Sequence, residues 1–143
     1  MNAYSLKTER IKEPDFPYDG QKISGTKELI KFVEKLQNSD IEKMIVIYLD
    51  TQNKLIGLLP IFGTINQAVI FPREVYKHAL LWSASSLIIV HNHPSGQIKP
   101  SKDDIKLIER IVRIGKDMDI QVHDSLIIAD KHWYSFREEG VMP

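Results

Sequence analysis

Between Thr26 and Leu36 the apolar residues Leu29, Phe32, Val33 and Leu36 recur at three- and four-residue intervals. This predicts a helix with Thr26 as N-cap and Asn38-Ser39 as its stop. The period then changes. Met44 to Leu49 is a short, nearly continuous apolar run bounded by Asp50-Thr51-Gln52-Asn53, which predicts a buried strand and a hairpin turn. Lys54 to Phe62 reads as the returning strand, Gly63-Thr64 breaks it, and Ala68 to Phe71 is predicted as a third short strand.

Pro72 suits the first turn of a helix because its missing N–H is not needed there, and Val75, Ala79, Leu80 and Trp82 continue a helical period toward Ser85. Ser86 to Val90 predicts a strand core running into His91, after which Pro94, Gly96 and Pro100 force a loop. From Ser101 a helix starts again. Its stripe of Ile105, Leu107, Ile108, Ile111, Val112 and Ile114 is predicted to pack on a sheet, with Lys106, Glu109, Arg110 and Arg113 solvating the other side. Val122 to Ala129 and Trp133 to Phe136 are further strands around the turn Asp130-Lys131. Helices alternating with strands, together with two hairpin signals, predict an α/β domain with a mixed β-sheet flanked by helices. Residues 1–25, with Pro14, Pro17, Gly20 and Gly25 and no apolar period, are expected to form an extended or mobile lead-in to a domain over 26–143.

Composition narrows the function. The 143 residues fit one domain, and 19 basic side chains balance 19 acidic ones, so the overall charge gives no pull toward nucleic acid or anionic lipid. Cysteine is absent, which removes disulfides, thiolate ligands and a thiol nucleophile together. A transition metal would therefore need His and carboxylate. No apolar run is long enough to span a bilayer and Met1 to Arg10 lacks an apolar signal core, so a soluble cytoplasmic protein is expected.

His91 and His93 stand two apart at the end of a predicted strand, where alternation puts both imidazoles on one face. The chain then reverses, and Asp104 falls in the first turn of the next helix, where its carboxylate can close back on the pair. Three ligands of types suited to zinc result, with a fourth position open for water. Asp104 has a plainer reading as well: Ser101-Lys102-Asp103-Asp104 resembles a capping box, in which it only bonds back to the Ser101 backbone. A lone His-x-His pair is likewise more often a surface feature than a ligand pair.

The string His91-Asn92-His93-Pro94-Ser95-Gly96, then Pro100-Ser101 and Asp104, resembles the JAMM metal motif, and more narrowly the RadC family. The resemblance extends to Phe71-Pro72-Arg73-Glu74-Val75 before the motif and Asp124-Ser125-Leu126-Ile127-Ile128 after it, covering residues 26 to 140. It implies a JAB/MPN fold with a cytidine deaminase-like layout, in which the two His and the Asp hold zinc. It also implies an upstream Glu as general base. Glu42, eight residues before Asp50, matches that position. Ser101 matches the residue whose hydroxyl steadies the developing oxyanion, a role its N-cap position does not exclude.

One departure stands out. Where the family has Asp-His, this chain has His123-Asp124-Ser125, so Ser125 replaces the His, and His123 is expected to point to the opposite face. His78, His132, Trp133, Tyr134 and Phe136 read as packing or surface residues. The series Lys102, Lys106, Arg110, Arg113 and Lys116 reads as a solvated face. The family resemblance implies hydrolysis of a peptide or isopeptide bond in a protein or peptide partner. Two alternatives remain: a non-catalytic, metal-stabilised MPN-like interaction module, and a DNA-repair accessory protein. Residues 1–25 lack the helix-hairpin-helix region that would support DNA binding. A zinc deaminase is excluded because its Pro-Cys-x-x-Cys segment needs cysteine.

Overall fold

A computed structural model describes residues 22–34, 42–62 and 72–143. The elements are α1 (Thr26–Phe32), β1 (Lys43–Leu49), β2 (Leu55–Phe62), α2 (Pro72–Leu81), β3 (Ser86–Asn92), α3 (Lys102–Asp117), β4 (Gln121–Ala129) and β5 (His132–Ser135). The expected strand at Ala68 to Phe71 lies outside the described residues, as do Leu36, Asn38, Ser39 and most of the lead-in.

The strands form one sheet in the order β2-β1-β3-β4-β5. Only the β3–β4 pair is parallel; β1–β2, β1–β3 and β4–β5 are antiparallel, so the sheet is mixed, as the alternating elements and hairpin signals predict. The parallel pair has α3 as its crossover, which a connection between parallel strands requires. Side-chain alternation divides the core. Met44, Val46 and Tyr48 of β1 and Leu87 and Ile89 of β3 face α2 and α3, packing on Val75, Ala79, Leu107 and Ile111. Ile47, Leu49, Ile88, Val90, Leu126 and Ile128 face the other way, onto Leu29 and Val33 of the α1 region. The motif therefore has a determined side, because His91 continues the Leu87, Ile89 series and pairs across the sheet with Met44. It lies on the α3 face.

Several boundaries differ from the predicted ones for local reasons. Thr26 is the first helical residue of α1, and Gly25 occupies the N-cap without a side-chain bond. The cap work passes instead to Glu28, whose Oε2 accepts from the Ser24 amide and hydroxyl at 2.9 Å. Helix α2 stops at Leu81, before Ser85, because Ser83 adopts φ 53° and the Ala84 amide turns back to the Ala79 carbonyl at 2.8 Å. In the β4–β5 hairpin Asp130 and Lys131 both have positive φ, 41° and 65°, the backbone of a two-residue turn that matches strand twist.

Candidate metal centre

Three chain segments deliver the site: the residue before β1, the end of β3, and the first turn of α3. His91 is the last inward-facing position of β3 and is buried. His93 lies just beyond the strand, held by its amide on the Ile128 carbonyl of β4 at 3.0 Å, so it keeps the same facing as His91. The two rings meet edge to face with centroids 4.5 Å apart. After His93 the chain turns at Gly96, whose φ of 83° suits glycine and whose amide donates to the His93 carbonyl at 3.0 Å.

That turn fixes the His93 ring. Its Nδ1 lies 2.6 Å from the Gln97 carbonyl oxygen, which can only accept, so Nδ1 carries the hydrogen. A neutral His93 then presents the Nε2 lone pair toward the site, the outer-sphere arrangement common to metal-binding histidines.

Asp104 fulfils the capping-box reading, and its carboxylate also faces the two histidines. Its Oδ2 accepts from the Ser101 amide at 2.7 Å while its own amide donates to Ser101 Oγ at 3.0 Å, a complete capping box. The same carboxylate lies 3.6 Å from His91 Nδ1 through Oδ1 and 3.3 Å from His93 Nε2 through Oδ2. Capping is therefore compatible with facing the histidines. Burial alone pushes the Asp104 carboxyl up, but the contact with His93, the Ser101 amide and the nearby His91 outweigh it and bring the pKa down to about 2. The Asp104 contact raises His93 against the effect of burial, whereas burial dominates at His91 and lowers it.

Glu42 reaches the pair from the opposite side, with Oε1 2.9 Å from His91 Nε2. Donor atoms of Glu42, His91 and His93 all lie within 4.8 Å of one another, close enough to hold a metal ion. Two imidazoles and carboxylates, without cysteine, form a donor set that suits zinc. Asp104 contacts both imidazoles but does not complete a four-way cluster at that spacing, so among the described residues the tight group contains Glu42 in its place.

A cleft of about 620 Å³ opens over these residues, lined by Glu42, His93, Ser95, Lys99, Ser101 and Asp104 among others. Ser101 Oγ accepts from the Asp104 amide, which leaves its own hydrogen available to a group in the cleft. Beneath the site a void of about 10 Å³ is bordered by His91, Asp104, Ser125 and Phe136. Ser125 thus faces the centre from below. His123 points elsewhere, as expected, with Nε2 3.1 Å from Asn53 Oδ1 in the β1–β2 turn. Alternation alone would put His123 on the same face as Ser125, two residues on; what turns it away is the irregularity where Leu87 pairs with Val122 and Ile88 with Asp124, leaving His123 as the extra residue.

Sequence reasoning missed Asn92. Flanked by the two ligand-type histidines but turned to the other face and buried, its Oδ1 accepts from the Lys43 amide. Asn92 therefore ties the end of β3 to the residue next to Glu42. No periodic or motif signal marks such a tie, because it joins residues 49 apart in the chain.

Fold and site together define a JAB domain: a mixed sheet whose third strand ends in His-x-His beneath the acidic first turn of the crossover helix. The profile of the RadC-like JAB domain family matches residues 23–141, and the chain belongs to that family. Similar curated proteins include a UPF0758 protein of Latilactobacillus sakei subsp. sakei (strain 23K), 42% identical over 113 residues, covering 78% of this chain and 50% of that protein. A UPF0758 protein of Methanosarcina mazei is 39% identical over 122 residues, 84% of this chain and 53% of its own length. UPF0758 protein CPE2144 of Clostridium perfringens (strain 13 / Type A) is 42% identical over 123 residues, 85% and 54% of the two chains. The chain spans about half the length of these relatives. Among the described residues no helix is long and apolar enough to cross a membrane.

Proposed function

We propose that this domain is a zinc-dependent hydrolase of peptide or isopeptide bonds, in which His91, His93 and Asp104 hold the metal and Glu42 is the general base. The observation that carries this reading is the position of Glu42. Its carboxylate lies 2.9 Å from a buried imidazole at the edge of an open cleft, within reach of both the histidine pair and a substrate entering from solvent, the placement a general base needs. Zinc held here would lower the pKa of a water to about 7 and polarise an amide carbonyl.

Glu42 then takes a proton from the attacking water and passes it to the leaving nitrogen. The C–N bond breaks, and an acid and an amine depart. Ser101, with its hydroxyl hydrogen free at the cleft wall, donates to the oxygen that gains negative charge. His91 and His93 are held in place by the sheet and by Gln97, so little reorganisation is needed on binding metal.

The grouping of Glu42 with the two histidines favours a second reading, in which Glu42 is itself a ligand and the metal serves only to stabilise a partner-binding module. Profiling zinc-loaded protein against a library of peptides and isopeptides, with Glu42→Gln as control, separates the two. The hydrolase reading expects cleavage by the wild type and its loss in the variant. No cleavage of any member, with zinc bound, would favour the module.

A further inference from the structure

We propose that the groove between α2 and α3 is a docking surface for an acidic amphipathic helical segment of a partner protein. The groove has a volume of about 760 Å³, and its apolar lining comes from Leu80, Leu81, Ile114 and Met118, with Tyr76 buried behind them. Leu80 is 59% exposed, the most exposed large apolar side chain among the described residues. Alone it would be ordinary surface scatter, but Leu81, Ile114 and Met118 line the same groove and make the apolar surface contiguous.

Charge selects the occupant. Among the described residues, the charged ones lining the groove are Arg73 and Lys77 on the α2 wall and Arg110 on the α3 wall, all cations and all exposed. Glu74 lies 3.8 Å from Lys77 Nζ, a loose surface pair of the kind that contributes little by itself. An apolar floor between two cationic rims complements a helix with Leu or Phe on one face and Glu or Asp flanking it. A basic segment would meet like charge on both sides.

The Arg110 and Lys106 positions read from sequence as a solvated face, which treats the helix in isolation. Packing α3 beside α2 brings Arg110 to the side of Arg73 and Lys77 and makes a local cationic rim on a chain of zero net charge. The groove is separate from the metal centre: Ile114 lies ten residues beyond Asp104 in α3, about 15 Å at helical rise. Occupancy would hold a partner near the cleft without entering it.

The test uses the whole chain and a fluorescein-labelled designed peptide with Leu and Phe on one helical face and Glu on the other, followed by fluorescence anisotropy. Binding is expected, weakened about tenfold or more by Arg110→Glu, by Leu80→Ser and by Lys in place of Glu in the peptide. Amide shift changes should fall on α2 and α3, and unchanged melting temperatures should show that the exposed substitutions leave the fold intact. Equal affinity for the Glu and Lys peptides, no binding of either, or indifference to both variants would overturn the proposal. A concentration-dependent dimer dissolved by Leu80→Ser would also overturn it, placing a second copy of this chain in the groove.

Discussion

The carboxylate of Asp104 binds the Ser101 amide at 2.7 Å and at the same time lies 3.3 Å from His93 Nε2. One side chain therefore fastens the start of α3 and faces the metal centre, so helix start and site geometry are coupled. Loss of its charge should be felt in both.

In metal-free protein this coupling has a pH signature. The folded-state pKa of Asp104 is lowered from 3.8 to about 2, so its contribution is present above the unfolded value and is lost as pH falls through that window toward about 2. About 2 kcal/mol is at stake. Chemical unfolding of chelated protein between pH 5 and pH 2 should show this decline, and Asp104→Asn should flatten it. An unchanged slope in the variant would assign the acid sensitivity to other carboxylates.

His93 shifts the other way. Its pKa is raised by Asp104, so in metal-free protein its contribution is complete below the ordinary value of 6.5 and fades as pH rises through the higher folded value. On the proposed ligand set, the same proton would compete with zinc for Nε2. Zinc affinity measured against a competing chelator should therefore fall as pH is lowered through the His93 pKa, and Asp104→Asn should move that fall to lower pH. A pH-independent affinity would remove His93 from the ligand set.

Asn92→Ala tests the tie that positions Glu42. The part-buried Lys43 amide would lose this acceptor, at about 1 kcal/mol, and Glu42 would lose its anchored neighbour. Turnover should drop while zinc stoichiometry holds, because neither histidine depends on Asn92. If activity and stability both match the wild type, the tie has no positioning role.

Gly115→Ala should destabilise, against helix propensity. An added Cβ would lie 2.4 Å from the Ile120 carbonyl oxygen and 2.7 Å from the Tyr76 hydroxyl. The carbonyl belongs to backbone that receives no freedom to move, since Ile120 itself donates to the Gly115 carbonyl at 2.9 Å. The propensity gain of about 1 kcal/mol is outweighed by overpacking of about 1–3 kcal/mol. A thermal melt showing the variant more stable would refute the close approach.

The parts of the fold legible in the sequence are those with an internal period. Met44 to Leu49, Ser86 to Val90 and the α3 stripe announce themselves because each carries a buried run, although of the expected stripe only Leu107, Ile108, Ile111 and Val112 are buried while Ile105 is exposed and Ile114 half-buried; His91 and His93 fall on one side by simple alternation. The helix end at Ser83 was hidden because a positive φ at a serine leaves no compositional mark. Gly25 took the N-cap from Thr26 for a similar reason, with Glu28 and Ser24 sharing the bonding. Glu42 was visible only through family resemblance, since a glutamate before a strand is ordinarily solvated. Its 2.9 Å approach to His91 depends on β1 pairing with β3, a long-range event. Asn92 and the cationic groove were illegible for that same cause, and Asp104 looked like a choice between capping and facing the histidines, whereas the helix start allows both contacts at once.

Metal content tests the central account most directly. Protein purified without chelator should carry one zinc per chain in the wild type and in Glu42→Gln, with Asp104→Asn and His93→Ala losing most of it and Glu42→Gln losing peptidase or isopeptidase turnover alone. Loss of zinc in Glu42→Gln together with retention in Asp104→Asn would contradict the account, making Glu42 a ligand and leaving Asp104 as a helix cap.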